Sequence, residues 1–162
     1  MGEVIIREAT VNDIEDIDAM APAFFEYAQL DKKGLSYDSF TFRQLLASFI
    51  KEDYGIVLVA ELKESATQTV DKLIGSIAGV ISPWMMDHRQ KVLMETWWWV
   101  FPEYWSLWAG LDLVMAFEEA ARKKEVDLLI MVTLDGPKEE TLKTYYRHFD
   151  MKHLEHHYIK RL

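Results

Sequence analysis

Apolar positions along the chain follow two rhythms, and the switches between them predict its elements. Residues 4–7 form a short β-prone run bounded by Gly2 and by Thr10-Val-Asn-Asp13. Thr10 with Asp13 three residues on is a capping signal for the helix that follows. From 11 to about 28, Ile14, Ile17, Met20, Ala21, Phe24 and Phe25 recur near a helical period. Pro22 sits inside that pattern and is expected to kink or split the helix. After the loop at Lys32-Lys-Gly34, Tyr37 or Asp38 leads a second helix over 40–51, with Phe42, Leu45, Leu46, Phe49 and Ile50 on its apolar side. Two β runs, 55–61 and 72–82, flank the polar stretch 63–71 and predict a hairpin with a long loop. Gly75 and Gly79 weaken the second run unless something packs close to its backbone. Pro83 is expected to stop it, leaving 84–89 as a connector that contains His88.

The stretch 95–124, ETWWWVFPEYWSLWAGLDLVMAFEEAARKK, organises the rest. It begins inside a third β run, 91–100, breaks at Pro102 and resumes as a helix from about 106 to 124. A strand that turns sharply into a helix aims backbone N–H groups at one point, where an anion can sit. A short apolar strand over 128–132 follows, then a loop with Asp135-Gly136-Pro137 turn chemistry, a helix over 139–149 and a half-alternating strand over 153–162. No repeat or linker interrupts the order, so residues 1–162 are expected to form one domain. The expected class is α/β: a mixed, mostly antiparallel sheet of about six to seven strands flanked by about four helices.

Composition narrows the chemistry. The 162 residues include no cysteine, which excludes disulfides, thiolate metal sites and a Cys nucleophile. That absence fits a reducing compartment, and the start lacks the charged-then-apolar plan of a signal peptide, so a cytoplasmic location is expected. No apolar run reaches the length of a membrane span, so no membrane partner is expected. A net charge of −9 argues against a protein that grips a nucleic-acid backbone. Five of the six Trp lie between Trp97 and Trp108, which concentrates aromatic surface at the organising turn. There is no Ser-His-Asp arrangement, Walker loop or dinucleotide fingerprint.

Three local patterns, in this element order, carry a resemblance. They are Ile5-Ile-Arg-Glu-Ala-Thr…Asp13, then Trp97-Trp-Trp-Val-Phe-Pro-Glu-Tyr104, and finally Tyr146 with the ending Glu155-His-His-Tyr-Ile-Lys-Arg-Leu162. Together they resemble the GCN5-related N-acetyltransferases (GNAT fold), most closely the small phage-encoded type. The resemblance implies that the fourth and fifth strands splay into a V-shaped cleft holding acetyl-CoA. The pantetheine would pair with the backbone of Trp98, Trp99 and Val100, and the pyrophosphate would sit on the turn Trp105, Ser106, Leu107, Trp108, Ala109, Gly110. Helix-terminal amides hold a phosphate without a basic side chain. The turn departs from the family loop, which is Arg or Gln, two residues, Gly, one residue, then Gly or Ala. Trp105 replaces the Arg or Gln and Trp108 the first Gly. The family's later Gly-Phe is also replaced, by Asp150-Met151.

The same resemblance makes Glu95 the base that deprotonates the acceptor amine and Tyr146 the acid that protonates the leaving thiolate. By strand alternation Glu95, Trp97 and Trp99 are expected on one face, where indoles would desolvate the carboxyl and raise its pKa. The bland readings are a solvated strand-end acid, a half-buried packing tyrosine, and tryptophans that fill the core. His153, His156 and His157 do not converge, since His156 and His157 point to opposite faces of an extended segment, so no metal site is expected. The acceptor would be a small-molecule or protein amine, with its pocket built from 24–49 and the loop after Pro83. A homodimer through a sheet edge or the Trp-rich region is in keeping with the resemblance. The alternative is an inactive protein of this fold that binds and modulates a host protein through the Trp-rich turn.

Overall fold

The computed structural model describes residues 3–63, 71–134, 136 and 138–162. The expected hairpin loop at 64–70, and Asp135 and Pro137 of the expected turn, lie outside the described residues. The order is β1 (Glu3–Glu8), α1 (Ile14–Tyr27), α2 (Ser39–Lys51), β2 (Gly55–Lys63), β3 (Lys72–Trp84), β4 (Asp87–Val100), α3 (Ala109–Lys123), β5 (Leu128–Ile130) and α4 (Glu139–His148). The strands make one sheet in the order β1-β2-β3-β4-β5, antiparallel except where β5 runs parallel to β4.

The α/β class, the mostly antiparallel pairing and the four α-helices among the described residues agree with the sequence. The strand count does not: five strands are present among the described residues, not six to seven. The expected closing strand at 153–162 pairs with nothing in the sheet, and Tyr158 is 95% exposed. Leu154 and Tyr158 share one face of an extended segment while Ile159 takes the other, so no apolar stripe drives it onto the sheet. The three residues of β5 also offer little edge to pair with. A second correction concerns 84–89, which is not a connector. Trp84 pairs with Asp87, so β3 runs past Pro83 and turns back through Met85 and Met86 into β4.

Local chemistry explains the helix starts. The Asp13 carboxylate accepts from the Thr10 N–H at 2.7 Å, as the capping signal requires, and from Arg7 at 2.8 Å. Arg7 also reaches Glu61 on β2, so one guanidinium ties β1, the α1 start and β2. Arg7 holds the Asp13 carboxyl down to about 2. Lys63, with Arg7, holds Glu61 at about 2 as well. At the start of α2 the Asp38 side chain accepts from Thr41 N–H at 2.8 Å. Pro22 does not split α1. The Asp18 carbonyl that Pro22 leaves without an intrahelical donor lies 3.4 Å from the Tyr37 hydroxyl, whose stronger bond goes to the Asp18 carboxylate at 2.5 Å.

Helices cover both faces of the sheet. On one face Ile17, Met20, Leu46 and Phe49 of α1 and α2 pack with Val57, Val59, Ala78, Trp97 and Trp99. On the other, Leu113, Val114 and Phe117 of α3 pack with Ile56, Ile74, Ile77 and Leu93. The glycines of β3 are explained by this second layer. A Cβ on Gly79 would lie 2.6 Å from the Met94 carbonyl oxygen and 2.7 Å from Cζ of Phe117, which is fully buried. A Cβ on Gly75 would lie 2.6 Å from Val100 Cγ2.

Gly79→Ala therefore pushes against backbone and a core ring that cannot retreat. The expected loss is about 2 kcal/mol or more of folding free energy, read as a lower urea midpoint with unchanged slope. An unchanged midpoint would show that β3 and Phe117 can part at little cost.

Candidate functional site

The site begins where two strands separate. β4 and β5 pair through Val92–Leu128, Leu93–Leu129 and Met94–Ile130, and their ladder stops there. In the neighbouring ladder Ala78 faces Trp97 and Gly79 faces Glu95, leaving Thr96 as an extra residue on β4. Such a bulge bends its strand and re-aims the side chains on either side. The bulge overturns the expectation that Glu95 shares a face with Trp97 and Trp99. Those two indoles pack under α1 and α2. Glu95 pairs instead with Gly79, whose open side looks onto Phe117 in the other layer.

Glu95 is 8% exposed, and its Oε2 accepts the Val132 N–H at 3.0 Å. That amide lies two residues past the end of β5, where the ladder has stopped, and a carboxyl takes it. The Tyr146 hydroxyl on α4 donates to the carbonyl of the same residue, Val132, at 3.0 Å. One residue of backbone thus stands between the two predicted proton-transfer groups. Burial raises the Glu95 carboxyl from 4.5 to about 7, with the Val132 bond opposing part of the shift. Burial, and then the nearby Glu95 charge, push the Tyr146 phenol well above its ordinary value, so it stays protonated. The burial expected for Glu95 is present, but on the face opposite Trp97 and Trp99. The Trp98 ring lies 6.4 Å from that of Tyr146 and walls the same space.

Beyond the apex the strands enclose a cleft of about 440 Å³, bordered by β4, α1, α3 and α4. Of the predicted cofactor-binding residues, Trp98, Trp99, Val100, Trp105, Trp108 and Gly110 line it, whereas Ser106, Leu107 and Ala109 do not. The turn is a 3-10 helix over Pro102–Leu107 followed by Trp108 in a left-handed conformation, φ +61°. Where the family loop carries its first Gly, this chain therefore places an indole at a φ that costs an L-residue about 1 kcal/mol or more. Asp150, where the later Gly would be, is likewise left-handed, φ +57°, an easier conformation for a short polar side chain.

Ala109 and Gly110 open α3, and their N–H groups have no intrahelical acceptor. Trp105 does more than fill the place of Arg or Gln. Its indole N–H donates to the Val100 carbonyl at 2.8 Å, capping the edge of β4 at the point where an extended ligand would pair. Lys138, just before α4, brings its ammonium 4.9 Å from the Trp105 ring and is the one cation lining the cleft among the described residues. No sequence signal marked it, because an isolated Lys after a turn looks like any solvated residue. Phe24, Tyr27, Leu30 and Leu35 of α1 and the following loop also line the cleft, within the acceptor segment expected from sequence. The loop after Pro83, expected to join them, is the β3–β4 hairpin and takes no part.

No cluster of metal-ligating side chains occurs among the described residues, and no described helix is long and apolar enough to cross a membrane. No protein-family model and no curated protein sequence matches the chain. Solved structures do share its fold. An aminoglycoside N-acetyltransferase in complex with CoA superposes with a TM-score of 0.74 at 11% identity, over 100% of this chain and 96% of that one. An aminoglycoside acetyltransferase from an uncultured soil metagenomic sample gives 0.70 at 11% identity, over 99% of each chain. A ribosomal-protein-alanine N-acetyltransferase from Brucella melitensis biovar Abortus gives 0.69 at 11% identity, again over 99% of each. The fold is thus that of the GCN5-related N-acetyltransferases.

The buried Glu95 also sets a pH dependence of stability. Its folded-state pKa of about 7 lies above the unfolded 4.5, so its contribution is full below pH 4.5 and is lost as pH rises through 7. Glu95→Gln keeps an acceptor for Val132 and cannot ionise. The variant is expected to gain about 2–3 kcal/mol on wild type between pH 5 and pH 8, measured by urea unfolding at each pH. A difference that does not change with pH would show the carboxyl to be solvated.

Proposed function

We propose that the chain is an acyltransferase that moves an acetyl group from acetyl-CoA to a primary amine at the apex of the V. The observation that carries the reading is the pairing of Glu95 and Tyr146 across Val132: a buried carboxyl and a protonated phenol, each tied to one face of the splayed backbone. The cleft suits an extended thiol ester. The edge of β4 past Met94 is free of β5, two amides open α3, and Lys138 adds a cation. Trp105 must release the Val100 carbonyl for a ligand amide to pair there, and Trp108 walls the cleft while staying 60% exposed.

Acetyl-CoA supplies the activated acyl carbon and a sulfur leaving group. Glu95, ionised above about pH 7, takes a proton from the ammonium form of the acceptor, freeing the nitrogen lone pair to attack that carbon. As the carbon–sulfur bond breaks, the Tyr146 hydroxyl gives its proton to the departing sulfur, and the phenolate left behind takes up the proton that the newly acylated nitrogen must lose. Trp98 excludes water beside both groups, which keeps the carboxyl basic. The neighbours share this fold at low identity, and the fold is compatible with many acceptors.

A second reading rests on Trp105 and Trp108. With one indole closed on Val100 and the other exposed in a strained turn, the same surface suits a protein that has lost catalysis and docks a partner, such as a host enzyme.

Steady-state kinetics with acetyl-CoA, following thiol release, separate the two. The transferase reading expects kcat/KM to rise with pH and level off above about pH 7. Glu95→Gln should lower kcat by about 100-fold or more, and Tyr146→Phe by about 10-fold or more. Thiol release that is absent, or indifferent to both substitutions, would sink it.

A further inference from the structure

Trp105 stands where an entering ligand would need to pair. The Phe101 N–H donates to the Ile74 carbonyl on β3 at 3.0 Å, and Gly75 of β3 lies opposite Val100. Successive residues of a strand turn their backbone groups to opposite sides, so the Val100 carbonyl points away from β3 to the open edge. The β4–β5 ladder has already ended at Met94, and the indole N–H of Trp105 takes that carbonyl at 2.8 Å. An extended, amide-bearing ligand adds to such an edge as a further strand would, and the carbonyl it would use is occupied.

The same indole is engaged on two further sides. The Tyr27 ring meets it edge-on at 5.8 Å, and the Lys138 ammonium lies 4.9 Å from its ring centre. The negative face of an indole attracts a cation, so the closed Trp105 holds the one cation of the cleft wall against itself. Trp105 is nevertheless 37% exposed, against 5% for Trp97 and Trp99, so its ring is free to swing without opening the core. A single side-chain movement thus uncovers a strand-edge acceptor and releases an ammonium, the two groups that an amide arm and a phosphate require.

We infer that Trp105 is an autoinhibitory latch on the donor site. Closed, it occupies the Val100 carbonyl and keeps Lys138 on its ring; open, it yields the carbonyl to a donor amide and the ammonium to the donor's diphosphate. The latch rests on the transferase reading for the identity of the donor, but the competition between indole and ligand is a binding property and is measured without turnover. Giving up one hydrogen bond to admit another lowers the donor's affinity by about fivefold, which a residue unable to donate restores.

The test is calorimetric titration of CoA, and of pantetheine, which has the amides but no diphosphate, into wild type, Trp105→Phe, Trp105→Leu and Lys138→Gln. Both Trp105 substitutions remove the indole donor and are expected to tighten CoA and pantetheine by about fivefold. Lys138→Gln should weaken CoA by about fivefold or more and leave pantetheine unchanged. In the free protein the Trp105 indole N–H, assigned in nitrogen-15 NMR spectra by its loss in Trp105→Phe, should exchange with water about tenfold more slowly than that of the exposed Trp108. A residue that only braces the turn predicts CoA binding no tighter in either Trp105 variant. That result, exchange as fast as at Trp108, or equal weakening of CoA and pantetheine by Lys138→Gln would overturn the latch and leave the transferase reading standing. Tighter CoA binding by the Trp105 variants, with thiol release from acetyl-CoA still absent, would support the latch and remove the transferase reading. No CoA binding by any of the four proteins would overturn both.

Discussion

Where β5 ends at Ile130, the chain must leave the sheet without stranding the backbone groups that β4 no longer answers. The Glu95 carboxyl, at 3.0 Å from the Val132 N–H, takes the place of the missing ladder bond. A bulge at Thr96 is what turns Glu95 to that side and sends Trp97 to the other. The opening between the strands, the desolvation of the carboxyl and the placing of Tyr146 through the Val132 carbonyl all follow from this one substitution of side chain for backbone.

Much of this architecture is legible in the residues. Thr10 and Asp13 mark the α1 start because a capping carboxylate has a fixed spacing from the amide it serves. The apolar runs of β2, β3 and β4 and the helical rhythm of α3 identify themselves by period. Gly75 and Gly79 ask for close neighbours, and Val100 and Phe117 supply them. The bulge is not legible, since Thr96 is an ordinary strand residue in a continuous β run and carries no Gly or Pro signal, and with it the true face of Glu95 stays hidden. The missing closing strand is a failure of the opposite kind. Charge and weak alternation at 153–162 suggest an edge, but an edge needs a partner longer than β5.

The tryptophans divide by neighbourhood rather than by type. Trp97 donates to the buried Ser76 hydroxyl at 2.6 Å and belongs to the core. Trp98 walls the apex beside Tyr146. Trp99 keeps an N–H with no partner among the described residues, in an aromatic enclosure, and Trp105 closes over the strand edge with Lys138 beside its ring. Trp108 holds a backbone position that favours glycine. The turn thus exchanges the Arg or Gln and the first Gly of the family loop for indoles, with the Lys138 ammonium, just before α4, beside Trp105.

Whether that exchanged turn still receives the acyl donor decides between transferase and converted scaffold. Calorimetric titration of acetyl-CoA and CoA into the native protein and into Trp108→Gly answers it most directly. Micromolar binding by the native protein, little changed by the substitution, is the predicted result. No binding by the native protein, with binding gained in Trp108→Gly, would contradict the account and leave a fold whose cofactor site has been closed.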